Sequence, residues 1–189
     1  TITTVTEVPV GPAPATPIIR WLLERGGPIN HFSQMMVLQV PVGLTLEHSL
    51  MALQVVLDHH DALRLRIVRA EAAEWSVVIG PAGSVPAGEC LHRVDVGSLE
   101  GPALALVVNE QKAAAERRLD PAGGRMLQAV WFDAGAARPG RLLLVLHHLV
   151  VDGVSWRILA PDLQAAWAAV QRSEPVVLDP IGTSFRHWA

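Results

Sequence analysis

Residues 141–159 read RLLLVLHHLVVDGVSWRIL, and no other stretch of the chain is so rich in reactive side chains. An apolar run of strand length delivers His147 and His148 at its end. A short turn then holds Asp152 and Gly153, and a helix begins near Ser155. Successive side chains of a strand point to opposite faces, so one imidazole can enter a cleft while the other anchors in the core. Glycine adopts backbone conformations that other residues resist, so Gly153 would let Asp152 sit close beneath the strand end. A histidine where a strand meets a loop could serve as a general base, because imidazole titrates near neutral pH without any perturbation.

Other chemistries fit this spacing less well. Adjacent strand histidines diverge and no third ligand follows at useful spacing, which disfavours a metal. Ser155 could be a nucleophile, but it follows Asp-Gly-Val rather than sitting in a nucleophile elbow. Spacing alone leaves open a pair of histidines that merely cap a strand. Elsewhere, His59 and His60 fall at a predicted helix end, where imidazole meets the carbonyl dipole, so capping is preferred to metal binding. Arg64 and Arg66 read as the solvated face of a strand. Trp156 reads as packing under the loop, and residues 110–118 as a charged, solvated helix face.

The elements that must position these groups alternate between helix and strand. Thr16-Pro17 opens a short helix over 18–25 that Gly26-Gly27 stops. A strand is predicted over 32–40. Thr45 then caps a helix with Leu46, Leu50, Leu53 and Leu57 on one face. Leu63, Leu65 and Ile67 alternate as a strand, with further strands at 74–79 and 91–96. A helix over about 101–118, with Ser98 near its cap, precedes strands at 126–132 and 141–147. The last long helix covers 155–172, and Pro161 should kink or split it. This order predicts an α/β or α+β sandwich on one mixed sheet flanked by helices. Residues 1–12 read as a linker or strap, and a new helix starts after Thr183-Ser184.

Composition sets outer bounds. The chain has 189 residues, half of them hydrophobic, and a formal net charge of -3. No basic stripe exists to neutralise phosphates, so nucleic acid is not an expected partner. A single cysteine, Cys90, excludes an internal disulfide framework and fits a reducing compartment. The opening residues lack the regions of a signal peptide, and apolar runs such as 103–108 and 142–146 are too short to span a bilayer. A soluble, cytoplasmic domain is expected, with no membrane partner.

His147-His148 with Asp152-Gly153 resembles the HHxxxDG signature of the condensation superfamily of nonribosomal peptide synthetases. Its continuation, Ser155-Trp156-Arg157-Ile158-Leu159, is similar to the version found in epimerisation domains. Further segments match in order. Thr16-Pro17-Ile18 with Trp21 resembles TPIQxWF, His31-Phe32-Ser33-Gln34 resembles HxNQ, and His60-Asp61-Ala62-Leu63-Arg64 resembles HHDALR. Thr183-Ser184-Phe185 with Trp188-Ala189 resembles TSFxxWA. Ile19, Ser33 and Met35 replace glutamine, asparagine and serine of that pattern, which would make a substrate channel less polar if they line it.

The resemblance implies a lobe like that of chloramphenicol acetyltransferase, with a mixed, largely antiparallel sheet. Residues 13–182 would be the amino-terminal lobe and 183–189 the start of a helix leading to a second lobe. It implies His148 as the catalytic base, with His147, Asp152, Gly153, Ser155 and Trp156 as support and Arg64 bracing the loop through Asp152. The family's partner acid, a glutamate, would belong to the second lobe. The implied activity is conversion of L- to D-aminoacyl or peptidyl thioesters, with condensation or mere carrier docking as alternatives. No cofactor or metal would be bound by the chain itself; the substrate would arrive on the phosphopantetheine of a peptidyl carrier protein. A lobe by itself would expose apolar surface and tend to self-associate.

Overall fold

A computed structural model of the chain describes residues 10–69 and 75–189. Its centre is β7 (Arg141–His147), in which every residue after Arg141 is buried. Six consecutive buried residues need cover on both faces, and the fold supplies it. Four strands lie in the order β2 (Ser33–Gln39), β7, β6 (Leu127–Asp133), β5 (Leu91–Asp95). The pairs β2–β7 and β6–β7 are antiparallel, and β5–β6 is parallel. On one face Leu142, Leu144 and Leu146 pack against α2 (Leu46–His59) and α5 (Trp156–Gln171). On the other, Leu143 and Val145 meet Ala115 and Leu119 at the end of α4 (Gly101–Arg118).

A second sheet corrects the expectation of one. The antiparallel strands β1 (Gly11–Ala13), β4 (Trp75–Ile79) and β3 (Leu65–Arg69) lie in the order β1–β4–β3. They share a core with Ile19 of α1 (Pro17–Arg25), Met126 and Leu149. Alternation at Leu65, Ile67, Val77 and Ile79 announces an apolar face but not the sheet to which it belongs. The mixed, mainly antiparallel character holds for the larger sheet. Gly11 and Pro12, read as part of a strap, lie in β1; residues 1–9 and Glu74 fall outside the described residues.

Most helix ends follow their sequence signals. Thr45 accepts the His48 N–H through its hydroxyl and opens α2. Gly26 closes α1 at a φ of 64°, a conformation that favours glycine. The buried face of α2 is Ser49, Ala52, Leu53, Val56 and Leu57, so Leu53 and Leu57 hold from the predicted stripe while Leu46 is exposed. Pro161 does not split α5, which is one helix through Gln171. Its ring sits on the exposed side, next to a turn whose Arg157 also faces solvent. A short α3 (Ala87–Cys90) precedes β5, and α6 (Phe185–Trp188) is capped by Ser184, which accepts the His187 N–H.

Arg64 departs most from its predicted place. It ends a 3-10 turn, Asp61–Arg64, and is only 4% exposed. Its guanidinium donates to the carbonyls of Leu57 (2.7 Å), Asp58 (2.6 Å) and Gly80 (3.0 Å). Two of these are last-turn carbonyls of α2 that have no helical partner. Arg64 therefore ties the end of α2 to the loop after β4, and the expected brace to Asp152 is not formed. The Asp61 carboxylate beside it accepts the Phe185 N–H at 2.7 Å, fastening α6 to the same turn. Arg64→Ala leaves three carbonyls without their donor. It should lower unfolding free energy by about 3 kcal/mol in denaturant titration, and Arg64→Lys should recover only part because an ammonium cannot span all three.

Candidate active site

The end of β7 sends the two histidines to different environments. His147 is fully buried. Its Nε2–H donates to the Ile29 carbonyl at 2.9 Å, and its Nδ1 accepts the Leu149 N–H at 3.3 Å. Burial holds this ring below the ordinary histidine value; the bond to Ile29 offsets part of that, and neighbouring His148 adds to the lowering. His148 lies on the opposite side, half-buried, with its ring stacked 4.8 Å from Phe32. Its Nδ1 is 2.8 Å from the Val151 carbonyl, and its Nε2 is 3.0 Å from Nε2 of Gln34. The Oε1 of Gln34 in turn accepts the Trp156 indole N–H at 2.9 Å.

The Asp-Gly turn works differently from its sequence reading. Asp152 is exposed, and its Oδ1 accepts the backbone N–H of Val154 (2.9 Å) and Ser155 (2.8 Å) and the Ser155 hydroxyl (2.8 Å). In return, Ser155 Oγ accepts the Asp152 N–H at 3.0 Å. The carboxylate and hydroxyl thus satisfy the amides entering α5, as an N-terminal cap does. The bonds from Ser155, backbone first and hydroxyl second, pull the Asp152 carboxyl below its ordinary range. Gly153 is not among the glycines with positive φ, and an added Cβ there would meet nothing within 4 Å. With Asp152 holding the turn by its side chain, no unusual backbone is required.

A cleft of about 520 Å³ opens beside His148, between Ile18, Val151, Asp152, Phe185 and Trp188. Thr16 also lines it, and its hydroxyl is buried with no hydrogen-bond partner among the described residues. Larger hollows of about 600 and 770 Å³ lie at Leu38–Trp167 and between α1 and β4, away from His148. The three substitutions expected to make a channel less polar do not line this cleft. Ile19 is buried in the core of the second sheet, Ser33 donates to Glu116 at 3.1 Å, and Met35 packs on the α4 face.

Sequence reasoning gives Gln34 and Phe32 no role of their own, since nothing local shows that Gln34 lies opposite Leu146 in the β2–β7 register. Trp156 is buried under the loop as expected and adds a hydrogen bond that packing alone does not predict. His59, His60 and Asp162 also come together, with donor atoms within 4.8 Å of one another. His60 Nε2 bonds Asp162 at 2.8 Å and His59 Nε2 bonds the Asp179 carbonyl at 3.0 Å, so hydrogen bonds already join these groups across α2, α5 and the C-terminal segment.

The condensation-domain sequence profile matches residues 13–189. This chain belongs to the condensation-domain family. It is 40% identical over 181 residues to one of the linear gramicidin synthase proteins of Brevibacillus parabrevis, covering 95% of this chain and 3% of that protein. It is 32% identical over 178 residues to a surfactin synthase protein of Bacillus subtilis, covering 92% of this chain and 5% of that protein. Among solved structures it resembles the epimerization domain from the third module of tyrocidine synthetase B. The TM-score is 0.84 at 25% identity, over 98% of this chain and 41% of that one. The starter condensation domain of rhizomide synthetase shares the fold, with a TM-score of 0.72 at 16% identity over 92% of this chain and 41% of that one. The chain thus spans only a few per cent of the length of these synthase proteins and about two fifths of the solved domains it resembles. No helix among the described residues is long and apolar enough to cross a membrane.

Two measurements test these roles of the histidines and the turn. A buried ring that resists protonation contributes no pH dependence well above the ordinary value of 6.5. Below it the unfolded chain takes up a proton that the folded one refuses, so stability falls as pH drops. Thermal melting from pH 8 to pH 5 should show this loss, and His147→Gln, which can still donate to Ile29, should reduce it, leaving the part due to His60 and His92, which burial also lowers. Asp152→Ala should cost about 1 kcal/mol in denaturant titration, as a lost helix cap does, well short of the Arg64→Ala effect.

Proposed function

We propose that this chain is the amino-terminal lobe of an epimerisation domain and that His148 is one of its two proton-transfer groups. The substrate is an aminoacyl or peptidyl thioester carried on the phosphopantetheine of a carrier protein. Support comes from Trp156, part of the Ser-Trp-Arg continuation that resembles epimerisation domains. Its indole reaches Gln34, which contacts His148 directly. Side chains around the cleft and the start of α5, Ile18, Val154, Ile158 and Trp188, are apolar and exposed, as expected of surface that a second lobe covers.

In this reading His148 Nε2 removes the α-proton from one face of the substrate. The electron pair passes into the thioester carbonyl, giving an enolate that needs hydrogen-bond donors nearby. A glutamate of the second lobe returns a proton to the opposite face, and the carbonyl re-forms with inverted configuration. The rest of the named set has supporting parts. His147 anchors the strand end, Asp152 and Ser155 hold the turn into α5, Gly153 leaves the loop surface bare, and Arg64 supports the lobe from a distance.

The condensation reading keeps the same histidine and replaces the step by attack of an acceptor amine on the thioester. The two separate cleanly in deuterated water. The full domain containing this chain should load deuterium at the α-carbon of an L-aminoacyl carrier thioester and yield both enantiomers. His148→Ala should slow the exchange on the order of a thousandfold. Peptide bond formation with an added acceptor amine, and no deuterium uptake, would replace epimerisation by condensation.

A further inference from the structure

Three polar contacts run in series from α5 through the candidate base. Trp156 Nε1 is 2.9 Å from Gln34 Oε1, Gln34 Nε2 is 3.0 Å from His148 Nε2, and His148 Nδ1 is 2.8 Å from the Val151 carbonyl. Each end of this series has only one chemical sense. An indole N–H can only donate, so it draws the oxygen of the Gln34 amide toward Trp156 and leaves the amide N–H facing His148. A main-chain carbonyl can only accept, so Nδ1 carries the proton of the neutral ring. Both ends, separated by the imidazole and an amide, require the same thing of Nε2. It must hold the lone pair.

We propose that Gln34 and Trp156 are positioning residues that select which nitrogen of His148 is the base, fixing the Nδ1–H tautomer with Nε2 as acceptor. Phe32, stacked on the ring with planes 17° apart, restrains its rotation. The neighbouring histidine shows the selectivity by contrast. His147 points Nε2 at the Ile29 carbonyl and accepts the Leu149 amide at Nδ1, so the two adjacent rings carry their protons on opposite nitrogens.

The arrangement also constrains proton transfer. The Gln34 amide N–H occupies the Nε2 lone pair, so the amide must yield before a substrate proton can arrive there. Once Nε2 holds that proton, it faces an N–H of Gln34. Relief comes from turning the amide over, which brings Oε1 to His148 and gives up the bond from Trp156. The inference that this tautomer serves catalysis rests on the proposed role of His148, whereas the tautomer itself does not.

The test is nitrogen NMR of the full domain labelled with 15N-histidine, at a pH where the rings are neutral, with signals assigned by comparison with His148→Ala. His148 should appear protonated at Nδ1 and His147 at Nε2. Gln34→Glu places an acceptor where the donor was, so Nε2 of His148 should gain a proton. Trp156→Phe keeps most of the packing but frees the amide, so His148 should become a mixture of tautomers. In both variants the His147 signal should stay in place, reporting an intact fold. The exchange assay should show kcat reduced roughly 10²- to 10⁴-fold for Gln34→Glu, with KM little changed.

Protonation at Nε2 in the unsubstituted domain would overturn the proposal, and so would an unchanged His148 tautomer in both folded variants. A domain with the expected tautomers but no α-deuterium exchange would leave this inference standing and refute epimerisation instead.

Discussion

A strand buried on both faces leaves little freedom to anything that follows it. Leu142, Leu144 and Leu146 face the helices α2 and α5, while Leu143 and Val145 face α4. Each such side chain contributes about 1.5–3 kcal/mol by leaving water. Burial continues to His147, the last residue of β7, whose polar atoms must then find partners inside the protein. They do so in Ile29 and Leu149, on either side of the sheet end. His148, one residue beyond, leaves the core with its backbone held by Phe32, where its N–H donates to the Phe32 carbonyl at 2.7 Å. Its place on the cleft rim follows from the packing of the six residues before it.

Local rules made much of this legible from the sequence. An unbroken apolar run reads as a covered strand, period-two alternation sends His147 and His148 apart, and Thr45 and Ser184 are recognisable caps. Non-local partners were hidden. Arg64 looked solvated because arginine is usually exposed, yet the end of α2 leaves carbonyls that only a long donor can reach. Asp152 was expected close beneath the strand end, with the resemblance implying Arg64 as its partner, but Val154 and Ser155 needed a cap and were nearer. Gly153 looked like a conformational necessity that the Asp152 side chain had already made redundant. The three-residue β1 has no pattern of its own to read and exists because β4 offers it an edge.

The division between framework and chemistry is correspondingly sharp. Arg64 binds the end of α2 to the loop after β4, Asp61 fastens α6 behind the cleft wall at Phe185, and His60 with Asp162 joins α2 to α5. The groups around His148 come instead from β2, α5 and the turn between β7 and α5. That second set is small and mostly uncharged, and its members are connected through shared hydrogen bonds. Changing any one of them alters what its neighbours can accept or donate.

The antiparallel register of β2 against β7 pairs Ser33 with His147 and Gln34 with Leu146. Because a strand's faces alternate, losing one residue in β7 before the pair would draw each ring back by one position. His148 would take the sealed position and meet partners suited to the opposite tautomer, while His147 would fall at the buried place of Leu146 and Leu149 would reach the rim. Length in this segment is therefore under tighter restraint than composition. Leucine, valine and isoleucine can trade places along β7 at modest cost, whereas a single-codon deletion would leave a folded sheet with its chemistry turned inside out.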